Sequence, residues 1–249
     1  MTVSLQGKNV LVTGGTKGIG LAIAEQMARS GANILITSRH QDECESVVKN
    51  LSNFHGMAIG IQADITKEHE RKKLFSTISS TVGTLDILIN NAGCAITKKA
   101  ELVTESEWDT VMNLNLKAAF FCAQEAGKLM IPKRQGKIIN ISSILGLKVA
   151  NQVLPYCVSK SGLLQLTKAL ALEWAKYNIQ VNAVCPGYIK TELNQDIIEK
   201  SYESFMQKIP QRRLAMGKEI GTAVLYLCSD DAAYITGQKI VIDGGWMLN

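Results

Sequence analysis

Asn9-Val10-Leu11-Val12-Thr13 runs straight into Gly14-Gly15-Thr16-Lys17-Gly18-Ile19-Gly20, and the reading of this stretch decides the fold. The first five residues form an apolar, β-branched run, the pattern of a strand buried on both faces. Glycines at 14, 18 and 20 then mark a strand-to-helix turn. Gly14 permits the tight turn, Gly18 lets backbone approach a pyrophosphate, and Gly20 lets the helix pack on the strand. A helix opening here directs free N–H groups and its positive dipole end at that anion. Thr16, Lys17 and Ile19 belong to the same turn. Ile19, Ile23 and Met27 recur at helical spacing up to Arg29, and Gly31 marks the end.

Outward from this unit the pattern repeats. Strand-like runs are expected at Asn33–Thr37, Ala58–Gln62, Asp86–Asn90, Lys137–Ile141, Ile179–Cys185 and Lys239–Ile242. Helical patterns lie between them. Thr104 followed by Glu107 is a capping box that opens a long helix, and Leu154 to Tyr177 carries Leu163, Leu166, Leu170 and Trp174. The implied fold is α/β: a single-domain, Rossmann-type, doubly wound parallel sheet with helices on both faces. Residues 1–249 read as one dinucleotide-binding and catalytic domain.

Composition narrows the class. Of 249 residues, 46% are hydrophobic and 20% charged, which excludes a disordered chain. The net charge of +5 is spread over small groups such as Lys98-Lys99, Lys133-Arg134 with Lys137, and Arg212-Arg213. These read as solvated surface, so no nucleic-acid partner is expected. Six cysteines without a CxxC spacing and three unpaired histidines give no metal site. No secretory leader or membrane span is evident, so a cytoplasmic protein is expected.

The residues after the second strand choose the cofactor. A carboxylate about 20 positions beyond the glycines would accept from a ribose 2′-hydroxyl and mark NAD(H). Here the sequence has Thr37-Ser38-Arg39, with no carboxylate to repel a 2′-phosphate. Arg39 and Lys17 can pair with that group, which points to NADP(H). Tyr156 and Lys160 stand four residues apart, on one helical face. An ammonium there is expected to lower the phenol pKa for proton transfer. Ser142-Ser143 ends the preceding strand.

Together these residues resemble the short-chain dehydrogenase/reductase family. The matches are Gly14/Gly18/Gly20, Asp64, Asn90-Asn91-Ala92-Gly93, Asn115, Ser143, Tyr156-x-x-x-Lys160, and Pro186-Gly187 followed by Thr191. The resemblance implies an oxidoreductase that moves a hydride between a nicotinamide and a ketone or secondary alcohol. It makes Tyr156 the proton donor in reduction and Ser143 the hydrogen-bond donor to the substrate oxygen. Lys160 would hold the nicotinamide ribose, and Asn115 would interrupt its helix to hold a relay water. Asp64 and Ile65 would border the adenine, and Asn91, Ala92 and Gly93 would back the ribose. Pro186, Gly187, Ile189 and Thr191 would cover the nicotinamide and its phosphate. A homotetramer is implied, with the helices from Thr104 and Leu154 at one interface and the Ile240–Trp246 end at another.

Substrate choice is expected to reside in Cys94, Ile96, Ile144, Leu145, Asn151, Val153, Leu154 and Tyr188, with Gln152 a further polar contact. Asn194 to Gln211 reads as a helical lid. Two subfamilies are similar to the chain. One is the 3-oxoacyl-(acyl-carrier-protein) reductases, whose carrier-binding basic pair matches Lys133-Arg134, although Leu172 stands where a second arginine is typical. Its substrate would be an acyl carrier protein or CoA thioester. The other is the gluconate 5-dehydrogenase-like enzymes of sugar acids and polyols, matched by Pro155 and by Pro186-Gly187-Tyr188-Ile189. The first is favoured. A catalytically silent dinucleotide-binding regulator is the remote alternative.

Overall fold

In the computed structural model, residues 3–54, 56–189, 203 and 206–248 are described. Seven strands form one sheet: β1 (Asn9–Thr13), β2 (Asn33–Ser38), β3 (Ala58–Gln62), β4 (Ile87–Asn90), β5 (Gly136–Ile141), β6 (Ile179–Pro186) and β7 (Lys239–Ile242). Every pairing is parallel, in the order β3-β2-β1-β4-β5-β6-β7. The chain winds outward from β1 to β3, then returns to lay β4 on the other side of β1. The carboxyl ends of β1 and β4 therefore flank the switch point, where such sheets bind ligands.

Alternation along the strands feeds two cores. Leu35, Leu11, Leu88, Ile138 and Val181 stand side by side in register on one face. They pack with helices α3 (Glu68–Val82) and α5 (Ala119–Lys133) through Leu74, Ile78, Cys122 and Met130. On the other face Val10, Val12, Ile34, Ile36 and Ile89 meet α1 (Gly18–Arg29) through Ile23 and Met27. A later helix, Gly217–Cys228, adds Ile220 and Val224 to that core. α2 (Gln41–Leu51) lies beside the β2–β3 edge, and α6 (Leu154–Trp174) contributes Leu170 to the first core.

The strands match the sequence expectations to within a residue at each end. The long helix from Thr104 is interrupted around Asn115, the residue at which the resemblance implied a break. The Thr104–Glu107 capping box opens α4 (Glu105–Met112), a π-helical segment (Asn113–Ala118) follows, and α5 resumes at Ala119. The helix Gly217–Cys228 is α7. Among the described residues, no helix is long and apolar enough to cross a membrane.

Candidate active site

Gly14 and Gly18 have φ of 61° and 56°, a backbone region that glycine enters without strain. Asn91 fastens the turn from β4: its Nδ2 donates to the carbonyls of Thr13 and Gly14, each at 3.0 Å. Thr13 Oγ1 accepts from the backbone N–H groups of Asn91 and Ala92. A Cβ on Gly20 would lie 2.3 Å from the Gly14 carbonyl oxygen and 2.4 Å from Asn91 Nδ2. Gly20 thus makes room for the closed turn and Asn91, not for helix-on-strand packing as the sequence suggested. No side chain caps the first turn of α1, and no acidic residue lies in it. A turn of this form, with uncapped N–H groups beyond it, fits a dinucleotide pyrophosphate.

At the end of β2 the structure corrects the sequence reading. A carboxylate does stand there, supplied by α2. Glu43 Oε2 accepts from Thr16 Oγ1 and from Ser38 Oγ, both at 2.9 Å. Lys17 Nζ lies 3.5 Å from Glu43 Oε1. The Ser38 and Thr16 hydrogen bonds, with the Lys17 charge, hold Glu43 below the usual carboxylate range against a small desolvation cost. Glu43 was missed because only the packing of α2 against the glycine turn brings it there. Arg39 is exposed beside this corner. Asp64 is tied to Thr66 through its backbone N–H (3.0 Å) and hydroxyl (2.6 Å). Ile65 is buried in the core, with its carbonyl accepting from Arg71.

Ser143 follows β5 in extended conformation and is nearly buried. Tyr156 sits in the first turns of α6, with the Ser143 side chain near enough to favour its ionised form. Lys160 lies one turn on, with its Nζ 5.6 Å from the Tyr156 ring centroid and donating to the Ile141 carbonyl at 2.8 Å. The turn after β5 is seated on α6: Ser142 Oγ donates to the Lys160 carbonyl and Ser161 Oγ to that of Gly146. The expected lowering of the Tyr156 pKa is not found. Burial pushes the phenol up, and the Ser143 side chain offsets only part of that. Burial also lowers Lys160 to about 8. The sequence pattern showed the spacing of the pair but not the loss of solvent around it.

Asn115 is buried in the π-helical segment. Its Oδ1 accepts from the Cys94 N–H at 2.8 Å, and its Nδ2 donates to the Cys94 carbonyl and to Ser159 Oγ. Ser159 in turn donates to the Tyr156 carbonyl. Ser159 escaped the sequence reading, although it stands inside the Tyr156–Lys160 turn. Gly93 separates the two polar ends: a Cβ there would be 3.1 Å from Asn115 Oδ1 and 3.4 Å from Lys160 Nζ.

The substrate-side residues divide. Lys98 N–H donates to the Gln152 carbonyl at 2.7 Å, which joins the loops holding Cys94 and Ile96 to those holding Asn151 and Val153. Ile144 is buried, Leu145 and Val153 are half-buried, and Asn151 and Leu154 are exposed. The Tyr188 ring meets Trp246 edge-on at 5.9 Å, and Lys148 Nζ lies 5.2 Å from the Trp246 ring; neither Lys148 nor Trp246 was singled out from sequence. Pro186 and Ile189 are buried, and Gly187 N–H donates to the Ile242 carbonyl. Thr191 lies outside the described residues, as does most of the expected lid, Ile197, Ile198 and Phe205 included; Met206 is buried. The basic pair divides: Lys133 is half-buried and pairs with Asp86 at 2.7 Å, whereas Arg134 is exposed as expected, one N–H donating to the Lys176 carbonyl at 2.6 Å. Lys137 is not solvated at its tip, because its Nζ is buried.

Residues 14–247 match a family model described as enoyl-(acyl carrier protein) reductase. The 3-oxoacyl-[acyl-carrier-protein] reductase FabG of Aquifex aeolicus is 37% identical over 246 residues, covering 98% of this chain and 99% of that protein. An NAD-dependent glycerol dehydrogenase of Listeria innocua is also 37% identical, covering 98% and 96%. Among solved structures, a provisionally assigned gluconate dehydrogenase from Agrobacterium tumefaciens superposes with a TM-score of 0.96 at 35% identity, covering 99% of this chain and 98% of that one.

Proposed function

The chain belongs to the short-chain dehydrogenase/reductase family, and from that premise we propose that it is an NADP(H)-preferring reductase of 3-oxoacyl-type or similar small carbonyl substrates. It is an oxidoreductase acting on a carbonyl substrate with a nicotinamide dinucleotide. The observation that carries the reading is the convergence of Ser143, at the carboxyl end of β5, with Tyr156 and Lys160 one turn apart on α6, the Lys160 Nζ 5.6 Å from the Tyr156 ring centroid.

A nicotinamide dinucleotide held at the glycine turn would supply the hydride chemistry, in either direction. Tyr156 is protonated at neutral pH, as a phenol ordinarily is and as burial reinforces, and gives its hydroxyl proton to the carbonyl oxygen. Ser143 donates a hydrogen bond to that oxygen as negative charge grows on it. Lys160, with its ammonium near about 8, can restore the proton to Tyr156. Asn115 holds the Cys94 backbone and Ser159, so it positions the loop under the cofactor ribose and the turn that carries Tyr156. Gly14, Gly18, Gly20 and the α1 N-terminus would hold the pyrophosphate; Arg39 would meet the 2′-phosphate, with Lys17 and Ser38, both engaged by Glu43, lining the same corner; Asp64 and Ile65 would border the adenine. Asn91, Ala92, Gly93, Pro186, Gly187, Ile189 and Thr191 complete the nicotinamide side.

One observation favours the second reading, a sugar-acid or polyol dehydrogenase. Lys133 is neutralised by Asp86 and Leu172 is exposed, which leaves Arg134 as the remaining cation of the three carrier-protein positions. A homotetramer is supported by the exposed Leu154, Val158 and Leu172 of α6 and by Val241 and Leu248 near the C-terminus. The test is a steady-state panel of acetoacetyl thioesters, keto-sugar acids and diketones, each with NADPH and NADH. Turnover of thioesters supports the first reading, whereas turnover of keto-sugar acids alone replaces it with the second.

A further inference from the structure

Three donors from three elements converge on one carboxylate outside the catalytic center. Thr16 comes from the glycine turn, Lys17 from the N-cap of α1, and Ser38 from the last residue of β2. The acceptor, Glu43, belongs to the first turn of α2. A carboxylate at a helix N-terminus ordinarily serves its own helix dipole. Glu43 instead accepts hydroxyl protons from residues 27 and 5 positions away in sequence. It thereby sits at the end of β2, where a dinucleotide places its adenosine ribose.

We propose that Glu43 is a cofactor-selectivity residue. Its carboxylate accepts a hydrogen bond from an unphosphorylated ribose 2′-hydroxyl and opposes a 2′-phosphate. It occupies the Thr16 and Ser38 hydroxyls and partly neutralises Lys17, which a 2′-phosphate would otherwise engage. Glu43 therefore narrows the preference for NADPH over NADH that Arg39 sets. This rests on the reading that the crevice takes a dinucleotide and that Arg39 meets its 2′-phosphate.

Calorimetric titration of the cofactor-free protein with adenosine 2′,5′-bisphosphate and with AMP tests it without turnover. Selectivity is the ratio of the AMP to the bisphosphate dissociation constant. Removing one unit charge a few ångströms from the phosphate should raise that ratio about tenfold in Glu43→Gln, and in the same direction in Glu43→Ala. Gln keeps the shape and can still accept from Thr16 and Ser38, so the corner stays folded. A ratio within about threefold of wild type in both variants overturns the proposal. Arg39→Ala run in parallel separates the two levels. If it weakens the bisphosphate while the Glu43 variants do nothing, only the Glu43 assignment fails. If it leaves the bisphosphate unaffected, the 2′-phosphate reading beneath it fails.

Discussion

Asn115 and Ser159 are 44 residues apart in sequence, yet Asn115 Nδ2 donates to Ser159 Oγ at 3.0 Å inside the protein. That contact joins the π-helical segment to the helix carrying Tyr156 and Lys160. The same carboxamide satisfies both backbone groups of Cys94. Asn115→Ala leaves these groups buried without partners, which costs about 1–3 kcal/mol. The variant is expected to melt earlier and to lose turnover, while Asn115→Asp, which keeps the acceptor toward Cys94 N–H, recovers part of the melting temperature. Thermal melts and steady-state rates of both variants check this.

Lys160 bears on pH. Burial places its folded-state pKa near about 8, below the ordinary lysine value of 10.5. Below about 8 both folded and unfolded chains hold this proton, and the cost of burying the charge is fully present. Above it the unfolded chain binds more protons, so this residue's contribution to stability rises with pH until 10.5. Relative to Lys160→Met, wild type should gain stability over that window. Reduction should slow over the same range as the ammonium is lost. Denaturant melts and pH–rate profiles of the two proteins measure both.

Leu11 is fully buried in β1, between Leu35 and Leu88. Leu11→Ala removes the middle of that apolar row and is expected to cost about 2–5 kcal/mol. Urea unfolding gives the value directly.

Arg39 is an exposed cation of the cofactor corner, beside Lys17, which pairs with Glu43. Arg39→Asp should weaken NADPH far more than NADH, by about tenfold or more in relative affinity, because it replaces attraction to the 2′-phosphate with repulsion. Cofactor titrations monitored by nicotinamide fluorescence read this ratio.

The strands were legible in sequence because a parallel sheet covered on both faces needs near-continuous apolar runs, and NVLVT, NILIT and DILIN supply them. The Tyr156–Lys160 pair was legible because helical spacing alone puts both on one face. What was not legible depends on packing between distant segments. Glu43 reaches the glycine turn only through the seating of α2. Lys133 looks like a free surface cation until the end of α5 is laid beside Asp86. The direction of the Tyr156 shift follows from burial, which a spacing rule does not contain.

The most direct test of the central claim compares NADPH oxidation by wild type and Tyr156→Phe with a carbonyl substrate from the panel, alongside NADPH affinity. Loss of the proton donor should lower kcat by about 10²–10⁴-fold while NADPH binding stays within a few-fold of wild type. A Tyr156→Phe variant that turns over at a near-normal rate would contradict the account.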